Sequence, residues 1–408
     1  MKRGRVVILG GGFGGLAAAR SLEDNLDVTL IDRQPHFEFL PNIHEIVSGR
    51  QSITSVQLPR QRIVHELGHQ TRIAEAQAID LARRQVELPD GPLPYDVLIL
   101  APGAETRLEG TPGVAEHAAP IRSAQEAAVI RDRLEQLVKA GAPARVVIVG
   151  GGLTGVEVLG EILRRHKKQV HLDLALIEPN SRLLPGWPKV LHKRIKKLAE
   201  RAGVQVILGA RVAAVEADRL HLDNGRCLSS ALTIWAAGTR APQVLLRSGL
   251  SSGKTGPVRG LMVNTQLQLP AYPEVFVIGD AAAPPGKVKK QAAQALLLGE
   301  RAAKNATRFL EQRPLSSFVK EPLPVLLTFG DLSTFVIFDD DRVVEGRALA
   351  VGRDLSFQVG MAELDRLASK GSLRRLDRRL WHAKALAKWE RQPWRVPQDL
   401  ADLRLHEP

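Results

Sequence analysis

The sequence predicts an α/β protein built from two similar nucleotide-binding units, followed by a capping sheet and a basic tail. Three observations predict it: a strand, glycine loop, helix and strand occur in that order twice, three further apolar runs stop at glycine, and the last hundred residues change in pattern. The 408 residues are enough for two or three domains. Hydrophobic residues make up 44% and charged residues 25%, the balance of a folded chain.

The first glycine loop follows the apolar run Arg5–Leu9, and the strand after its helix, Val28–Ile31, ends in an acid. Glycine allows the tight turn out of the strand, lets the backbone approach a pyrophosphate, and permits close packing of helix and strand. The free amides at the helix N-terminus attract phosphate, and the acid can accept hydrogen bonds from a ribose. The predicted binding residues of this unit are Gly10, Gly12, Phe13, Gly14, Gly15, Asp32 and Arg33.

The second glycine loop repeats the pattern after the run Arg145–Val149, and its second strand, Leu172–Ile177, also ends in an acid. One such motif is weak evidence, but two copies in the same context predict two Rossmann-like dinucleotide sites. Glu178 repels a 2′-phosphate and therefore favours NADH over NADPH, with Arg182 moderating the preference. The predicted binding residues of this unit are Gly150, Gly152, Leu153, Thr154, Gly155 and Glu178.

Three more apolar runs end at glycine: residues 95–103, 233–238 and 275–280. In doubly wound sheets such strand ends line the cofactor crevice. The residues predicted there are Ala101, Gly103, Ala237, Gly238, Gly279 and Asp280.

Formal charge is +13, and residues 366–395 hold ten Lys or Arg against two acids, together with three of the five tryptophans. Basic residues interleaved with Trp suit the surface of an anionic membrane, which predicts peripheral membrane contact through this tail. A solvated basic helix is the alternative, and nucleic acid is not expected because no nucleic-acid motif accompanies the charge. The first strand begins almost at Met1, so we expect a cytoplasmic protein.

Cys227 is the only cysteine, which excludes an internal disulfide, a CxxC pair and a cysteine-rich metal site. The run His65-Glu-Leu-Gly-His69 matches the HExxH pattern of zinc proteases. We expect Gly68 to end that helix, and no third ligand follows. No metal site is predicted.

These motifs resemble the glutathione-reductase-like flavoproteins with two dinucleotide-binding domains and, among them, the type II NADH dehydrogenases. The resemblance covers residues 5 to about 310 and is carried by both glycine loops, by residues 39–49, by Ile234-Trp-Ala-Ala-Gly-Thr-Arg240 and by Val277-Ile-Gly-Asp280. It implies that FAD binds the first unit and NADH the second, with Asp32 at the adenosine ribose and Asp280 at the ribityl or pyrophosphate portion. Disulfide reductases and sulfide:quinone oxidoreductases, which relay electrons through cysteine sulfur, are disfavoured.

The resemblance implies an FAD-binding domain at 1–115 and 245–320, an NADH-binding domain at 116–244 inserted in it, and a capping and membrane-association region at 321–408. It places Glu157 beside nicotinamide and flavin, where it orients NADH or moves a proton. Gln294 matches part of the relatives' quinone motif, but a second glutamine is absent, and Pro102 replaces their usual Thr.

The implied activity is that of a non-proton-pumping, FAD-dependent NADH:quinone oxidoreductase on the inner face of the cell membrane. A flavin can take a hydride from NADH and pass two electrons to a quinone or another small acceptor without reactive side chains. Two alternatives stay open: a soluble enzyme that reduces a ferredoxin or rubredoxin docked on the lysines at 287–290, and a non-enzymatic sensor of nucleotide state. A homodimer is possible.

Overall fold

The computed structural model describes residues 4–166, 169, 171–250, 260–286, 288–364 and 404–406. Their strands in the first hundred and twenty residues are β1 (Arg5–Leu9), β2 (Asp27–Asp32), β3 (His36–Glu38), β4 (Gln57–Pro59), β5 (Gln70–Ile73), β6 (Ala78–Asp80), β7 (Gln85–Leu88), β8 (Gly91–Pro94), β9 (Val97–Leu100), β10 (Glu105–Thr106) and β11 (Ala118–Pro120). The next are β12 (Ala144–Val149), β13 (Leu172–Glu178), β14 (Gln205–Leu208), β15 (Val212–Val215), β16 (Arg219–Leu222), β17 (Cys227–Ser229), β18 (Leu232–Trp235) and β19 (Thr239–Arg240). The last are β20 (Leu261–Met262), β21 (Gln268–Leu269), β22 (Tyr272–Val277), β23 (Ala282–Ala283), β24 (Val325–Phe329), β25 (Ser333–Ile337), β26 (Val343–Glu345) and β27 (Arg404–His406).

The helices are α1 (Phe13–Ser21), α2 (Arg60–Glu66), α3 (Val114–His117), α4 (Ala124–Ala140), α5 (Leu153–His166), α6 (Lys189–Arg201), α7 (Gln243–Arg247), α8 (Ala292–Leu310) and α9 (Leu349–Leu364). Short 3₁₀ turns lie at Leu40–Ile46, Thr54–Val56 and Gly279–Ala281. None of the helices in the described part of the chain is long and apolar enough to cross a membrane.

The first large sheet has the strand order β21-β22-β9-β1-β2-β5 and is parallel except for β21. Val6 to Leu9 are all buried, because helices cover both faces of such a sheet and leave no solvent side for alternation. The strands come from the first hundred residues and from 268–277, so the chain returns to this sheet after a long excursion.

The second large sheet lies within that excursion. Its order is β11-β18-β12-β13-β14, all parallel, and β12 pairs with β13 as β1 pairs with β2. The predicted α/β class with two similar parallel sheets is therefore confirmed. The domain boundaries drawn from the sequence stay a prediction.

The two chain crossings between the sheets are tied together. The ribbon β10–β19 pairs Glu105 with Arg240, and their side chains form an ion pair at 3.0 Å. The same carboxyl group lies 3.4 Å from the Arg33 guanidinium, so this ribbon links the first dinucleotide unit to the crossing.

An antiparallel sheet, β24-β25-β26-β27, caps the molecule. The predicted capping sheet is confirmed. The sequence also predicts strand-like runs across residues 322–358, which is wrong at the end of that range because α9 begins at Leu349. Its buried residues Arg353, Phe357, Gly360 and Leu364 recur at helical spacing. The basic tail at 366–395 lies outside the described residues, and the chain returns at β27 to pair with β26.

Candidate active site

The first glycine loop has the backbone that the sequence predicts. Gly10 adopts φ +104° and its amide donates to the Ile31 carbonyl at 2.8 Å. A Cβ at Gly15 would lie 1.8 Å from the Gly10 carbonyl oxygen, so glycine is required there for the helix to meet the strand. Phe13 opens α1 and contacts Phe37 and Phe39 edge to face at 4.9 and 5.2 Å.

Asp32 accepts a hydrogen bond from the Gly11 amide at 2.7 Å and lies 3.1 Å from the guanidinium of Arg60. Arg60 is buried at the start of α2, and its Nε donates to the Gly11 carbonyl at 3.1 Å. Sequence reasoning missed this arginine because it lies 49 residues from the loop that it braces. It neutralises the acid that is predicted to hold the adenosine ribose.

The second glycine loop repeats the first. Gly150 adopts φ +110°, its amide donates to the Ile177 carbonyl at 2.8 Å, and a Cβ at Gly155 would lie 1.8 Å from the Gly150 carbonyl oxygen. Buried Glu178 accepts from the Gly151 amide at 2.8 Å and from the Asn180 amide at 3.0 Å. Leu153 and Thr154 form the first turn of α5, with Thr154 exposed.

Both loops fit a dinucleotide pyrophosphate. A Cβ at Gly12 or at Gly152 would meet no atom within 4 Å, so open space adjoins the backbone at the loop position that approaches phosphate. Each open loop leads into the N-terminus of a helix that starts with unpaired amides.

The predicted strand ends adjoin these loops. Ala101 follows β9, with its carbonyl oxygen 2.2 Å from where a Gly10 Cβ would lie, and the segment after β18 packs on Gly150 in the same way. Asp280, in the turn after β22, lies 3.3 Å from the guanidinium of Arg122, and the Lys290 ammonium donates to its carbonyl at 2.7 Å. The structure thus gathers the remaining predicted residues, Gly103, Ala237, Gly238 and Gly279, at the carboxyl ends of the two parallel sheets.

Glu157 lies on the first turns of α5, where the second dinucleotide unit meets the cap. Its Oε1 accepts from Arg353 Nη1 at 2.8 Å, and its Oε2 lies 3.8 Å from His44 Nδ1. The side chain is 13% exposed, so it is largely buried. Arg353 also donates to the Pro41 carbonyl and contacts His44 Nε2 at 3.2 Å. Neither Arg353 nor His44 was predicted, because α9 and the 40–46 turn join α5 only in the folded chain.

Burial is the largest influence on the pKa values of Glu157 and His44. Burial raises the pKa of Glu157, and the Arg353 charge and hydrogen bond oppose that rise. Burial lowers the pKa of His44 well below its usual value, and the charges of Arg353 and Arg164 lower it further. Next to the cluster, burial also raises the pKa of Glu161, which accepts a hydrogen bond from Ser48. A carboxyl group whose pKa is raised above its ordinary value is suited to proton transfer.

Gln294, the other predicted catalytic residue, is buried on the first turn of α8. Its Nε2 donates to the Glu321 carbonyl at 2.7 Å, while its Oε1 has no hydrogen-bond partner among the described residues. No hydrogen bond or ion pair within the described ranges joins it to Glu157. Its role in catalysis stays a prediction.

The HExxH sequence does not form the continuous helix that zinc proteases use. Helix α2 ends at Glu66, Gly68 adopts φ +73°, and His69 Nε2 contacts the Ala19 carbonyl at 3.0 Å. Across the described part of the chain, no group of three His, Cys, Asp or Glu side chains is placed to hold a metal ion.

A family model for pyridine nucleotide-disulphide oxidoreductases matches residues 4–299. The chain belongs to this family. It is 31% identical over 319 residues to the type II NADH:quinone oxidoreductase Ndh of Mycobacterium tuberculosis, an alignment that covers 70% of this chain and 68% of the relative. That identity and coverage show that the chain is a member of the type II NADH:quinone oxidoreductases, an enzyme family that uses FAD and NADH.

Solved structures confirm the fold. The NDH2 of Plasmodium falciparum in complex with NADH has a TM-score of 0.74 at 18% identity, covering 82% of this chain and 90% of that one. The sulfide:quinone oxidoreductase of Aquifex aeolicus has a TM-score of 0.80 at 19% identity, covering 99% of this chain and 97% of that one. At such identities the likeness concerns the fold alone, and the single cysteine here, Cys227, is exposed on β17.

Proposed function

We propose that this protein oxidises NADH and reduces a quinone in two successive half-reactions. The observation that carries the proposal is the pair of glycine loops with the same backbone, each facing open space, beside a buried carboxyl group on the helix of the second loop. FAD, when bound, supplies the step that accepts a hydride and releases two electrons. The chain itself binds and orients the reactants and supplies a proton.

The site residues divide these tasks. The first loop and Asp32 hold the dinucleotide that stays bound, and the second loop and Glu178 hold the one that exchanges. Glu157 passes a proton to the quinone, a role that suits a carboxyl group whose pKa is raised by burial. Gln294 offers the unpaired Oε1 as a hydrogen-bond acceptor to the reduced quinone.

The described lysines of the 287–290 segment favour a quinone over a docked protein carrier as the electron acceptor. Lys289 lies 3.6 Å from Asp339 and 4.9 Å from the centre of the Trp187 ring, and Lys290 donates to the Asp280 carbonyl. Lysines engaged within the fold contribute less to steering an acidic partner than free surface charges do.

An anaerobic titration tests the activity. The purified protein should be yellow, should bleach when NADH is added, and should regain its colour promptly with a water-soluble quinone. Colour that does not return with quinone but returns with an acidic electron-carrier protein would select the carrier alternative. A protein that cannot be reconstituted with FAD would overturn the proposal.

We also propose peripheral contact with the cytoplasmic face of the membrane through the basic tail at 366–395. The charge and tryptophan content of the segment support it. Truncation would also remove β27, the edge strand of the cap, so substitutions are the better test. Replacing Arg374, Arg375 and Arg378 by Gln should release the protein from anionic vesicles.

The matched control removes three exposed charges elsewhere, by replacing Lys189, Lys193 and Lys197 of α6 with Gln. The control variant should stay bound in a vesicle co-sedimentation assay. Equal binding by the tail variant and the unmodified protein would contradict the proposed membrane contact.

A further inference from the structure

His44 is buried between Arg353 and Glu157. Its Nε2 lies 3.2 Å from Arg353 Nη2 and 3.5 Å from Thr328 Oγ1, and its Nδ1 lies 3.8 Å from Glu157 Oε2. The side chain is 3% exposed, so solvent does not compete for either ring nitrogen. Each nitrogen therefore has a defined neighbour.

Arg353 fixes the tautomer of this imidazole. A guanidinium is protonated at all ordinary pH values and can only donate, so the Nε2 beside it must be the acceptor. A neutral imidazole carries its proton on the other nitrogen, and burial together with Arg353 and Arg164 lowers the pKa of His44 and keeps the ring neutral. The Nδ1–H group then faces Glu157 Oε2.

The two oxygens of Glu157 are thus in different surroundings. Oε1 accepts a hydrogen bond from Arg353 at 2.8 Å and lies 3.5 Å from the Thr328 amide. Oε2 lies 3.8 Å from His44 Nδ1. A separation of 3.8 Å is longer than a hydrogen bond, and such catalytic contacts often shorten when the substrate is seated.

We propose that His44 is a positioning residue for Glu157. The fixed Nδ1–H donor of His44 sets the pH at which Glu157 gives its proton to the quinone. The inference rests on the proposed function. Reducing a quinone to its quinol takes two electrons and two protons, and the hydride of NADH brings two electrons and one proton. The second proton comes from solution for each turnover, and Glu157 is the carboxyl group that passes it on.

Other charges act on the same carboxyl group. Arg353 on α9 stabilises its ionised form, while Glu45 on the 40–46 turn disfavours ionisation. Arg164 and Glu161, further along α5, form their own ion pair at 3.2 Å. An N–H donor to Oε2 favours the carboxylate, so removing it should raise the pKa of Glu157.

Two isosteric substitutions separate the two ring nitrogens. His44→Asn keeps an N–H donor near the Nδ1 position, and His44→Gln keeps an acceptor for Arg353 near the Nε2 position but has no donor toward Oε2. His221→Gln, on β16 with a side chain that is 41% exposed, is the matched control. Stopped-flow absorbance should follow the bleaching by NADH and the return of colour with a water-soluble quinone from pH 5 to 10.

The return of colour should slow as pH rises through the pKa of Glu157. In His44→Gln that decline should move to higher pH by about one unit, while His44→Asn and His221→Gln should keep the original profile. Bleaching by NADH should stay unchanged. The melting temperature should fall in both His44 variants, because each alters a buried, hydrogen-bonded side chain, and should stay unchanged in His221→Gln. An unshifted His44→Gln profile, or equal shifts in both His44 variants, would overturn the role of the Nδ1–H donor.

Failure of the proposed function would look different. If Glu157→Gln keeps the pH-dependent decline, Glu157 is not the proton donor. If the unmodified protein never regains its colour with quinone, the quinone reaction itself is wrong.

Discussion

The two glycine loops have the same backbone and different neighbours. Both hold their first glycine at positive φ, both bind the amide of the second glycine to an acid at the end of the next strand, and both place the last glycine against the carbonyl of the first. The side chains packed on the second glycine differ. Arg60 lies 2.3 Å from where a Gly11 Cβ would be, whereas Leu183 lies 2.7 Å from the equivalent point at Gly151.

This difference in packing indicates different roles for Asp32 in the first loop and Glu178 in the second. In the first loop a buried guanidinium neutralises Asp32 and braces the turn, which suits a cofactor that remains in place. In the second loop the packing group is apolar, and Glu178 is bound by neutral amides, so its negative charge is left to act on the incoming nucleotide. We therefore predict that the first loop retains its dinucleotide and that the second loop selects the incoming one.

The helices that follow the loops also differ. Helix α1 packs closely on α8, where a Cβ at Gly299 would lie 2.2 Å from the Gly14 carbonyl oxygen. Helix α5 instead packs on the cap, where a Cβ at Gly160 would lie 2.4 Å from the Gly330 amide. Glu157 projects from the second of these helices toward Arg353 of the cap. The proposed proton donor therefore lies on the unit that contacts the cap.

The largest expected effects come from the glycine at the end of each loop. Gly15→Ala should give a protein without flavin, because its Cβ would overlap the Gly10 carbonyl oxygen, while Gly155→Ala should stay yellow and no longer bleach with NADH. The visible spectrum before and after NADH addition measures both outcomes.

Gly12→Ala and Gly152→Ala separate the loss of a dinucleotide from a disturbance of the protein's own packing, since neither Cβ meets an atom of the protein. Each should melt at the unmodified temperature and lose only its own dinucleotide. A Gly155→Ala variant that bleaches normally would contradict the assignment of NADH to the second loop.

Replacing Arg60 tests the retention role of the first loop. Arg60→Met should lower the free energy of unfolding by about 2–3 kcal/mol, because it leaves Asp32 without its cation in a partly buried site. It should also release flavin faster on a desalting column. The matched change on the second loop, Leu183→Met, conserves volume and should cost less than about 1.5 kcal/mol with flavin retained. Equal flavin loss in both would show that packing alone holds the first loop.

Displacing the cap tests whether its contact with α5 matters to the second dinucleotide unit and not to the first. Gly160→Ala should slow the return of colour with quinone and destabilise the protein by about 2 kcal/mol, because the Cβ pushes the 329–330 turn away from α5. Bleaching by NADH should change little. Gly352→Ala on α9 meets open space and is the control. Chemical denaturation and stopped-flow absorbance give the two readouts.

The glycine loops could be predicted from the sequence because their requirements are local. Gly10, Gly15 and Asp32 lie within one strand–loop–helix–strand unit, and the spacing of residue types fixes their geometry. Arg60, His44 and Arg353 could not be predicted in this way. Arg353 contacts Glu157 across 196 residues and lies on a helix whose sequence was interpreted as strand-like. Contacts made across the cap depend on tertiary packing, which a single sequence does not show.

The smallest expected effect concerns the choice of nucleotide by the second loop. Glu178→Gln removes the negative charge and can keep the hydrogen bond from the Gly151 amide, but its Nε2 then faces the Asn180 amide, so stability should fall by about 1–2 kcal/mol with the fold retained. Without that charge a 2′-phosphate is no longer repelled, and the ratio of kcat/KM for NADH over NADPH should fall about tenfold, equivalent to ~1.4 kcal/mol. Asp32→Asn, at the equivalent place in the first loop, should leave this ratio unchanged because its site holds the retained cofactor. Arg182→Gln should raise the ratio, since its positive charge would no longer moderate the repulsion. A Glu178→Gln variant that still discriminates as the unmodified protein does would place selection elsewhere and remove the main functional difference between the two loops.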